Sequence, residues 1–325
     1  MKNVGRRTLE FLLTFFLAIS INFFLPRLVP GNPLQLIAGN AAAGLGKERI
    51  EALRAQYGLD KPLSEQYVIY LKQLARGDLG MSYRYSGGRT VVEVLGENFR
   101  WTLLLVGASL TLALVIGSAL GIWSATRRGD TLDLGLLSGV YVLRSIPPFW
   151  LAMLLIPVFA IQLRYFPVGD SYSIPRLEGW ENIKDVARHA FMPVLVLTLA
   201  YLPTAFVIMR AAMFGIMESD YIRTARAKGV PNSWVVMKHG LSNALLPVIT
   251  SFMIDLGQML GGVTVIEAVF NYRGIGNMMF DAVKSRDYPL LQGGFLLFTV
   301  TILVLNIITE LLYPYLDPRL RQGAA

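Results

Sequence analysis

The chain has no cysteine, and this absence excludes a disulfide framework, thiolate chemistry and any metal site built on cysteine. It also lacks the glycine-rich G-x-x-x-x-G-K-[ST] loop that cradles nucleotide phosphates. The nearest approach is Gly46-Lys47, where Ala41 replaces the first glycine and Glu48 replaces the hydroxyl residue. No G-x-S-x-G elbow supports an intramembrane hydrolase. We therefore expect no nucleotide site and no covalent chemistry in this chain, so that it is not itself an enzyme.

Charged residues are also scarce. They make up 16% of the 325 residues, whereas hydrophobic residues make up 54%. Such a composition is too apolar for an ordinary soluble domain and indicates a protein of the lipid bilayer. The formal net charge of +8 is compatible with nucleic-acid binding. However, the basic residues are dispersed into short loops beside apolar runs, which is the pattern of the positive-inside rule, so we expect no nucleic-acid partner.

Six apolar segments are each long enough to cross a hydrocarbon core of about 30 Å. They are residues 8–28, 100–126, 132–161, 190–213, 245–270 and 290–315. With six crossings, the basic clusters all fall on one side of the membrane. These clusters are Arg6-Arg7, Arg127-Arg128, Arg223 with Arg226 and Lys228, and Arg319 with Arg321. We therefore predict an all-α polytopic membrane protein with about six transmembrane helices and both termini in the cytoplasm.

The predicted organisation has four parts. Residues 1–28 form a cytoplasmic tail and the first helix, and residues 29–99 form an external subdomain between the first two spans. Residues 100–315 form a five-helix core that includes a cytoplasmic loop at 214–244, and residues 316–325 form a second cytoplasmic tail. Within the external subdomain, two amphipathic helices are predicted at 47–57 and 64–75, the second capped by Ser64, with Val68, Leu71 and Leu74 on its apolar face.

Prolines and glycines predict local features inside the spans. Pro147 and Pro148 remove helix amides and should bend the third span. Three glycines of the fifth span should allow a neighbouring helix to approach closely. These are Gly257, Gly261 and Gly262.

The polar, net basic interval from Glu218 to Pro247 lies between two apolar segments and must lie in water. Its first half, residues 219–228, has a helix-compatible composition, with Ser219 or Asp220 available as the cap. Gly229 should stop this helix, and Pro231 should prevent it from resuming. Taken alone, the pattern predicts a short surface helix in a cytoplasmic loop.

Several phrases resemble one known family. TARAKG followed by KHGLSNALLPVIT resembles the cytoplasmic coupling loop of ABC-importer permeases of the dipeptide, oligopeptide and nickel branch. The phrases LPRLVPGNP, SIPPFW and EAVFNYRGIGNMMFDAVKSRDYPLLQG are similar to the same family. The general signature has Glu-Ala-Ala where this chain has Arg223, Thr224 and Ala225. The family also usually has a proline at the position of Arg273 and an aspartate at that of Glu310.

The resemblance implies a type I ABC-importer permease fold and a role in the uptake of dipeptides or oligopeptides. It implies as partners a second homologous permease, two ATPase subunits that use ATP and Mg, and an external substrate-binding protein, in a bacterial or archaeal cytoplasmic (inner) membrane. This chain would bind no cofactor itself. The residues that would dock on an ATPase are Tyr221, Arg223, Thr224, Ala225, Arg226, Ala227, Lys228 and Gly229.

Two charged residues are predicted near the middle of spans, Arg144 in the third and Asp255 in the fifth. A lone charge in lipid costs about 2.5–3.5 kcal/mol on insertion scales, so each should face a partner or a watery cavity. We predict that the two contact each other as a structural pair or face the same translocation path. Glu267, at the external end of the fifth span, is a candidate outer-gate residue, with a solvated helix end as the alternative.

The two histidines, His189 and His239, are predicted at loop-to-helix junctions on opposite faces of the membrane. They cannot form a joint metal site, and a satisfied interfacial role is expected for both, so we predict no metal. Nickel or an oligosaccharide remains an alternative substrate, although a nickel path would favour intramembrane histidine, which is absent. A channel or secondary transporter that works without a motor is a third alternative.

Overall fold

The computed structural model describes residues 2–28, 60–82 and 89–316. The regular structure within them is helical, apart from an isolated bridge between Met81 and Thr90, and turns and irregular segments join the helices. The first helices are α1 (Lys2–Leu28), α2 (Leu63–Ala75), α3 (Val91–Thr126), α4 (Thr131–Ser145) and α5 (Pro148–Leu155), which continues as a π-helical segment, Ile156–Gln162. Next come α6 (Gly179–Met217), α7 (Asp220–Ala227) and α8 (Asn232–Trp234), the last followed by a π-helical segment, Val235–Leu241. The remaining helices are α9 (Ser242–Val269), α10 (Ile275–Ser285) and α11 (Tyr288–Leu316).

Four helical stretches of the described chain are long and apolar enough to cross a membrane. They are Val91–Thr126, Gly179–Met217, Asn232–Gly257 and Tyr288–Thr309, and the bent pair α4 and α5 adds a fifth when it is counted as one span. The first predicted span corresponds to α1, whose apolar part, Leu9–Phe24, is shorter. The all-α class and the permease-type fold are confirmed. The number of six crossings stays a prediction.

Some predicted features lie outside the described residues. These are the helix at 47–57, the basic residues Arg319 and Arg321, and the side chains of Arg6, Arg7 and Glu310.

The chain divides into two compact units. The first contains residues up to Arg100 together with Gly274–Leu303, and the second contains Trp101–Arg273 and the residues from Val304 onward. This grouping by contacts crosses the predicted domain boundaries, because helices α3 and α11 each pass from one unit into the other.

In the first unit, helix α2 packs against the end of α1. Phe23 is fully buried, and its ring lies 5.1 Å from that of Tyr67 and 5.4 Å from that of Tyr70. The predicted bounds of α2 are correct, and two residues of its predicted apolar face, Leu71 and Leu74, are half-buried. The third, Val68, is exposed, and Ser64 makes no capping bond because the helix begins at Leu63, directly after Pro62.

The second unit contains the predicted bend. Helices α4 and α5 meet at 95°, with Pro147 preceding the first residue of α5 and Pro148 occupying it, so the bend at these prolines is confirmed. Helix α6 begins at Gly179, well before the predicted start of the fourth span at residue 190, and it holds Pro193 and Pro203 within it.

Close contact with the backbone of a neighbouring helix occurs in this unit at two glycines of α3 that were not predicted. A Cβ on Gly117 would lie 2.8 Å from the Leu202 carbonyl oxygen, and one on Gly121 would lie 2.8 Å from that of Phe206. Gly117 and Gly121 thus form a G-x-x-x-G face of α3 that packs directly on the α6 backbone. Of the three predicted glycines, Gly262 has a neighbour on α6, because a Cβ built on it would lie 3.3 Å from the Tyr201 hydroxyl. The prediction for Gly257 and Gly261 is wrong within the described chain, because nothing lies within 4 Å of a Cβ built on either.

Candidate functional site

Helix α7 is the element that the sequence predicted as a coupling helix, and its bounds agree with that prediction to one residue at each end. Ser219 precedes it with extended backbone, but its hydroxyl donates to the Ile216 carbonyl at 2.6 Å and makes no capping bond. The helix ends as predicted. Gly229 has φ +75°, and the Val230 amide donates to the Ala225 carbonyl at 3.2 Å, so the last turn closes on a left-handed residue. Pro231, however, does not prevent a further helix, because it immediately precedes α8.

A single buried side chain anchors α7. Ile222 is fully buried, whereas Tyr221, Arg223, Thr224, Arg226, Ala227 and Lys228 are exposed and Ala225 is half-buried. On one side, the Asn243 amide of α9 donates to the Tyr221 hydroxyl at 3.3 Å. The exposed face carries three cations against one carboxylate, Asp220, which lies 3.7 Å from Arg223. The helix therefore presents a net positive ridge that is suited to an acidic groove on a partner.

A buried ion pair lies near the same end of the second unit. Arg210 of α6 donates from Nε to Asp133 Oδ1 at 2.8 Å and from Nη2 to Oδ2 at 2.7 Å. Ser124 of α3 also donates to Oδ1, and the Gly129 amide donates to Oδ2 at 3.1 Å. The Asp133 side chain is 1% exposed and that of Arg210 is 16% exposed. The pair joins α3, α4 and α6 through one carboxylate.

A second set of contacts leads from this pair toward α7. The guanidinium groups of Arg210 and Arg128 lie 4.3 Å and 4.9 Å from the centroid of the Phe214 ring. Arg128 also forms an exposed ion pair with Glu218, the residue that directly follows α6. Sequence reasoning missed Asp133 and Arg210, because both lie close to predicted span ends. Their signal was the same as that of Arg144 and Asp255, a charge inside an apolar segment.

The predicted pairing of Arg144 with Asp255 is not found. Arg144 lies in the last turn of α4 with an exposed side chain, and no ion pair within 4 Å joins it to Asp255 in the described residues. The predicted structural pair is therefore not formed in the described residues. The aspartate of α4, Asp133, pairs instead with Arg210 of α6. Asp255 instead lines a cavity of about 10 Å³ together with the hydroxyl residues Tyr201 and Ser251. A shared role of Arg144 and Asp255 along a translocation path stays a prediction.

Glu267 does not lie at a solvated helix end. Its side chain is fully buried, and its Oε1 accepts a hydrogen bond from Thr102 Oγ1 at 2.6 Å. Tyr272 is also fully buried, with its ring 6.0 Å from that of Trp101. Burial raises the pKa of the Tyr272 phenol, and the nearby Glu267 charge acts in the same direction, so this phenol stays neutral. The carboxylate is thus enclosed by protein, and its role as an outer gate stays a prediction.

Arg273 ties the adjoining loop to the segment before α6. Its amide donates to Ser171 Oγ at 2.9 Å, its Nη1 donates to the Tyr172 hydroxyl at 2.5 Å, and its guanidinium lies 4.4 Å from the centre of the Tyr172 ring. A proline at this position would provide neither the amide nor the guanidinium contacts. The Arg273 side chain therefore restrains the loop through its contacts with Tyr172, whereas a proline would restrain the loop by fixing the backbone dihedral φ.

The two histidines occupy different settings. His189 Nδ1 lies 2.8 Å from the Asp185 carbonyl oxygen and 3.4 Å from Asp185 Oδ1, so its ring is satisfied within α6. The side chain of His239 is half-buried. Among the residues that the structure describes, no three His, Asp or Glu side chains are grouped as a metal site.

Residues 117–322 match the family described as binding-protein-dependent transport system inner membrane component, and residues 1–104 match the N-terminal family of such membrane components. A protein of Brucella suis biovar 1 that carries the name peptide permease is 38% identical over 310 residues, covering 95% of this chain and 96% of the relative. The glutathione transport system permease protein GsiC of Escherichia coli strain K12 is 36% identical over 322 residues, covering 98% of each chain.

The two matches and the helical architecture define an inner membrane component of a binding-protein-dependent transport system, and the chain belongs to that family. The resemblance predicted from the sequence is confirmed. Within the family, the chain is a multi-pass inner-membrane permease of the peptide and oligopeptide ABC importers.

Proposed function

We propose that this chain forms half of the translocation path of an ATP-driven importer of dipeptides or oligopeptides and receives the motion of an ATPase subunit through helix α7. A second, homologous permease supplies the other half of the path, two ATPase subunits hydrolyse ATP with Mg, and an external binding protein delivers the peptide. The names of the two relatives, peptide permease and glutathione permease, favour a short peptide as substrate.

The observation that carries the proposal is the exposure of α7. Apart from Ile222, its side chains reach the surface or are half-buried, and its ridge is net positive. A short helix held by one buried residue contributes little to the hydrophobic core and therefore little to the stability of the chain. Its exposed surface is better explained as a docking surface for an ATPase subunit. A transporter changes between inward and outward states only when a partner binds the two states differently, and a protruding helix offers such a contact.

Gly229 provides the sharpest test of coupling. A β-branched residue in the left-handed region is strained by roughly 1–2 kcal/mol, whereas asparagine tolerates that region. Nothing lies within 4 Å of a Cβ at Gly229, so substitutions there act through the backbone and not through crowding. We expect Gly229→Val to uncouple ATP hydrolysis from uptake and the matched Gly229→Asn to keep most of both.

The measurement uses the complex with its partner permease, its ATPase subunits and its binding protein in proteoliposomes, with radiolabelled trialanine and glutathione as probes. Uptake and binding-protein-stimulated ATPase activity are followed together. Normal values of both in Gly229→Val would contradict coupling through α7. Uptake by the single chain without ATPase subunits would contradict the importer assignment and favour a channel or secondary transporter.

A further inference from the structure

We propose that Ser124, Asp133 and Arg210 are positioning residues that hold α3, α4 and α6 together as one rigid group, so that a displacement of α7 moves these three helices in unison. The inference rests on the proposed coupling function and adds the path along which the motion travels inside this chain. We name these three side chains the inner clamp.

The geometry of the inner clamp resists sliding and rotation. Both oxygens of Asp133 are occupied, Oδ1 by Ser124 and Arg210 Nε and Oδ2 by Arg210 Nη2 and the Gly129 amide. A bidentate pair between guanidinium and carboxylate fixes orientation as well as distance. Arg210 Nε also donates to Ser124 Oγ at 2.9 Å. Helix α3 is therefore bonded through Ser124 to both Arg210 and Asp133.

Burial makes the inner clamp hard to open. With Asp133 at 1% and Arg210 at 16% exposure, little water is present to replace the lost bonds when the helices separate. The three helices should therefore move together, while the rest of the chain deforms at its hinges. The 95° bend between α4 and α5 lies at the other end of α4, outside the inner clamp, and is where we expect such a hinge.

Contacts connect the inner clamp to α7 on a short route. Glu218 directly follows α6, and only Ser219 separates it from the first residue of α7. Glu218 pairs with Arg128, which belongs to the turn between α3 and α4, and Gly129 of the same turn donates to Asp133. A force applied to α7 thus reaches Asp133 through an exposed ion pair and a backbone amide, as well as along α6 itself.

The alternative explanation is that the ion pair only stabilises the fold and does not transmit motion. The substitutions must therefore distinguish a loss of stability from a loss of coupling. Arg210→Lys keeps the charge beside Asp133 but removes the fork that fixes orientation. A matched control is Arg188→Lys on the same helix, because Arg188 also uses a fork, donating from Nε and Nη2 to the Tyr165 carbonyl at 3.1 and 3.0 Å. Arg188 lies outside the inner clamp and close to the opposite end of α6.

The experiment measures the melting temperature of the assembled complex and the number of trialanine molecules transported per ATP hydrolysed in proteoliposomes. We expect Arg210→Lys to assemble and to lower the transport ratio by about fivefold or more, the lower end of typical coupling between sites. Arg188→Lys should leave the ratio unchanged. An unchanged ratio in the assembled Arg210→Lys complex would overturn the inference.

The exposed pair gives an independent arm that does not disturb the core. Glu218→Arg should lower the transport ratio, and the charge swap with Arg128→Glu should restore it. If Arg210→Lys does not assemble, this arm decides, and equal ratios in Glu218→Arg and the wild type overturn the inference. Failure of the wild-type complex to transport peptide would contradict the proposed function, whereas normal wild-type transport with unaffected variants would overturn the inner clamp alone.

Discussion

At the scale of single residues, the position of Glu267 near a helix end agrees with the sequence-based prediction, whereas its burial does not agree with a solvated helix end. It lies in the last turn of α9, near the predicted end of the fifth span, but it is buried and accepts a hydrogen bond from Thr102. A buried carboxylate without hydrogen-bond partners costs free energy, and the hydrogen bond from Thr102 reduces that cost.

We predict that Glu267→Gln assembles normally, because the amide carbonyl can still accept the bond from Thr102. Uptake should slow, since the variant removes a charge enclosed at the predicted outer end of the path. Initial uptake rates and the melting temperature of the complex measure the two effects. The control is Thr102→Val, which removes the donor and should cost about 1–3 kcal/mol of stability. Uptake kinetics in Glu267→Gln that match the wild type would end the outer-gate hypothesis.

Asp255 is a second charge whose setting calls for an explanation. It lies in the middle of α9, is half-buried, and lines a small cavity with Tyr201 and Ser251. A carboxylate at this depth indicates a substrate or ion pathway unless a basic residue pairs with it, and Arg144 does not.

We predict that Asp255 recognises the amino terminus of the peptide. The wild-type complex should then prefer trialanine to N-acetyl-trialanine, and Asp255→Asn, which keeps the size of the side chain, should reduce that preference by about tenfold, the worth of one hydrogen bond to a charged group. Competition for uptake between the two probes measures the ratio. Equal preference in wild type and variant would refute the prediction.

At the scale of elements, the packing of α3 on α6 depends on Gly117 and Gly121, which lie one helical turn apart on one face. Backbone contact of this kind brings the helices close enough for Arg210 of α6 to reach both Ser124 and Asp133. The inner clamp and the glycine face thus form a single continuous contact along α6.

We predict that Gly121→Ala destabilises the chain by roughly 1–3 kcal/mol, because its Cβ would lie 2.8 Å from a backbone oxygen that has little room to move. Gly107→Ala on the same helix is the matched control, since nothing lies within 4 Å of its Cβ, and it should be neutral or slightly stabilising. Thermal unfolding of the purified chain in detergent checks both. Equal melting temperatures for the two variants would contradict the packing argument.

At the scale of the whole molecule, the orientation in the membrane rests on the distribution of basic residues. The turn that holds Arg127 and Arg128 and the segment before α6 should face opposite sides. The absence of cysteine from the natural sequence makes this directly measurable, because any introduced thiol is the only one present.

We predict that Asp130→Cys reacts with a membrane-impermeant maleimide only from the cytoplasmic side, in inverted vesicles, and that Glu178→Cys reacts only from outside, in intact cells. Both side chains are exposed and make no capping bond, so neither substitution should disturb the fold. Labelling of both sites from the same side would contradict the six-span topology.

The sequence by itself determined the class of protein, the positions of most spans, the bend at Pro147 and Pro148 and the bounds of α7 with its stop at Gly229. These features follow from local physics, because hydropathy, missing proline amides and the freedom of glycine at positive φ act within a few residues of the chain.

Only the tertiary structure decided which charges meet. Asp133 and Arg210 are 77 residues apart, and Thr102 and Glu267 are 165 apart, so no local pattern could pair them. The sequence placed Arg144 and Asp255 at similar depths, but depth alone does not say which face of a helix a side chain occupies. That is fixed by how the helices rotate and pack, and here the close contact at Gly117 and Gly121 brings Arg210 to Asp133.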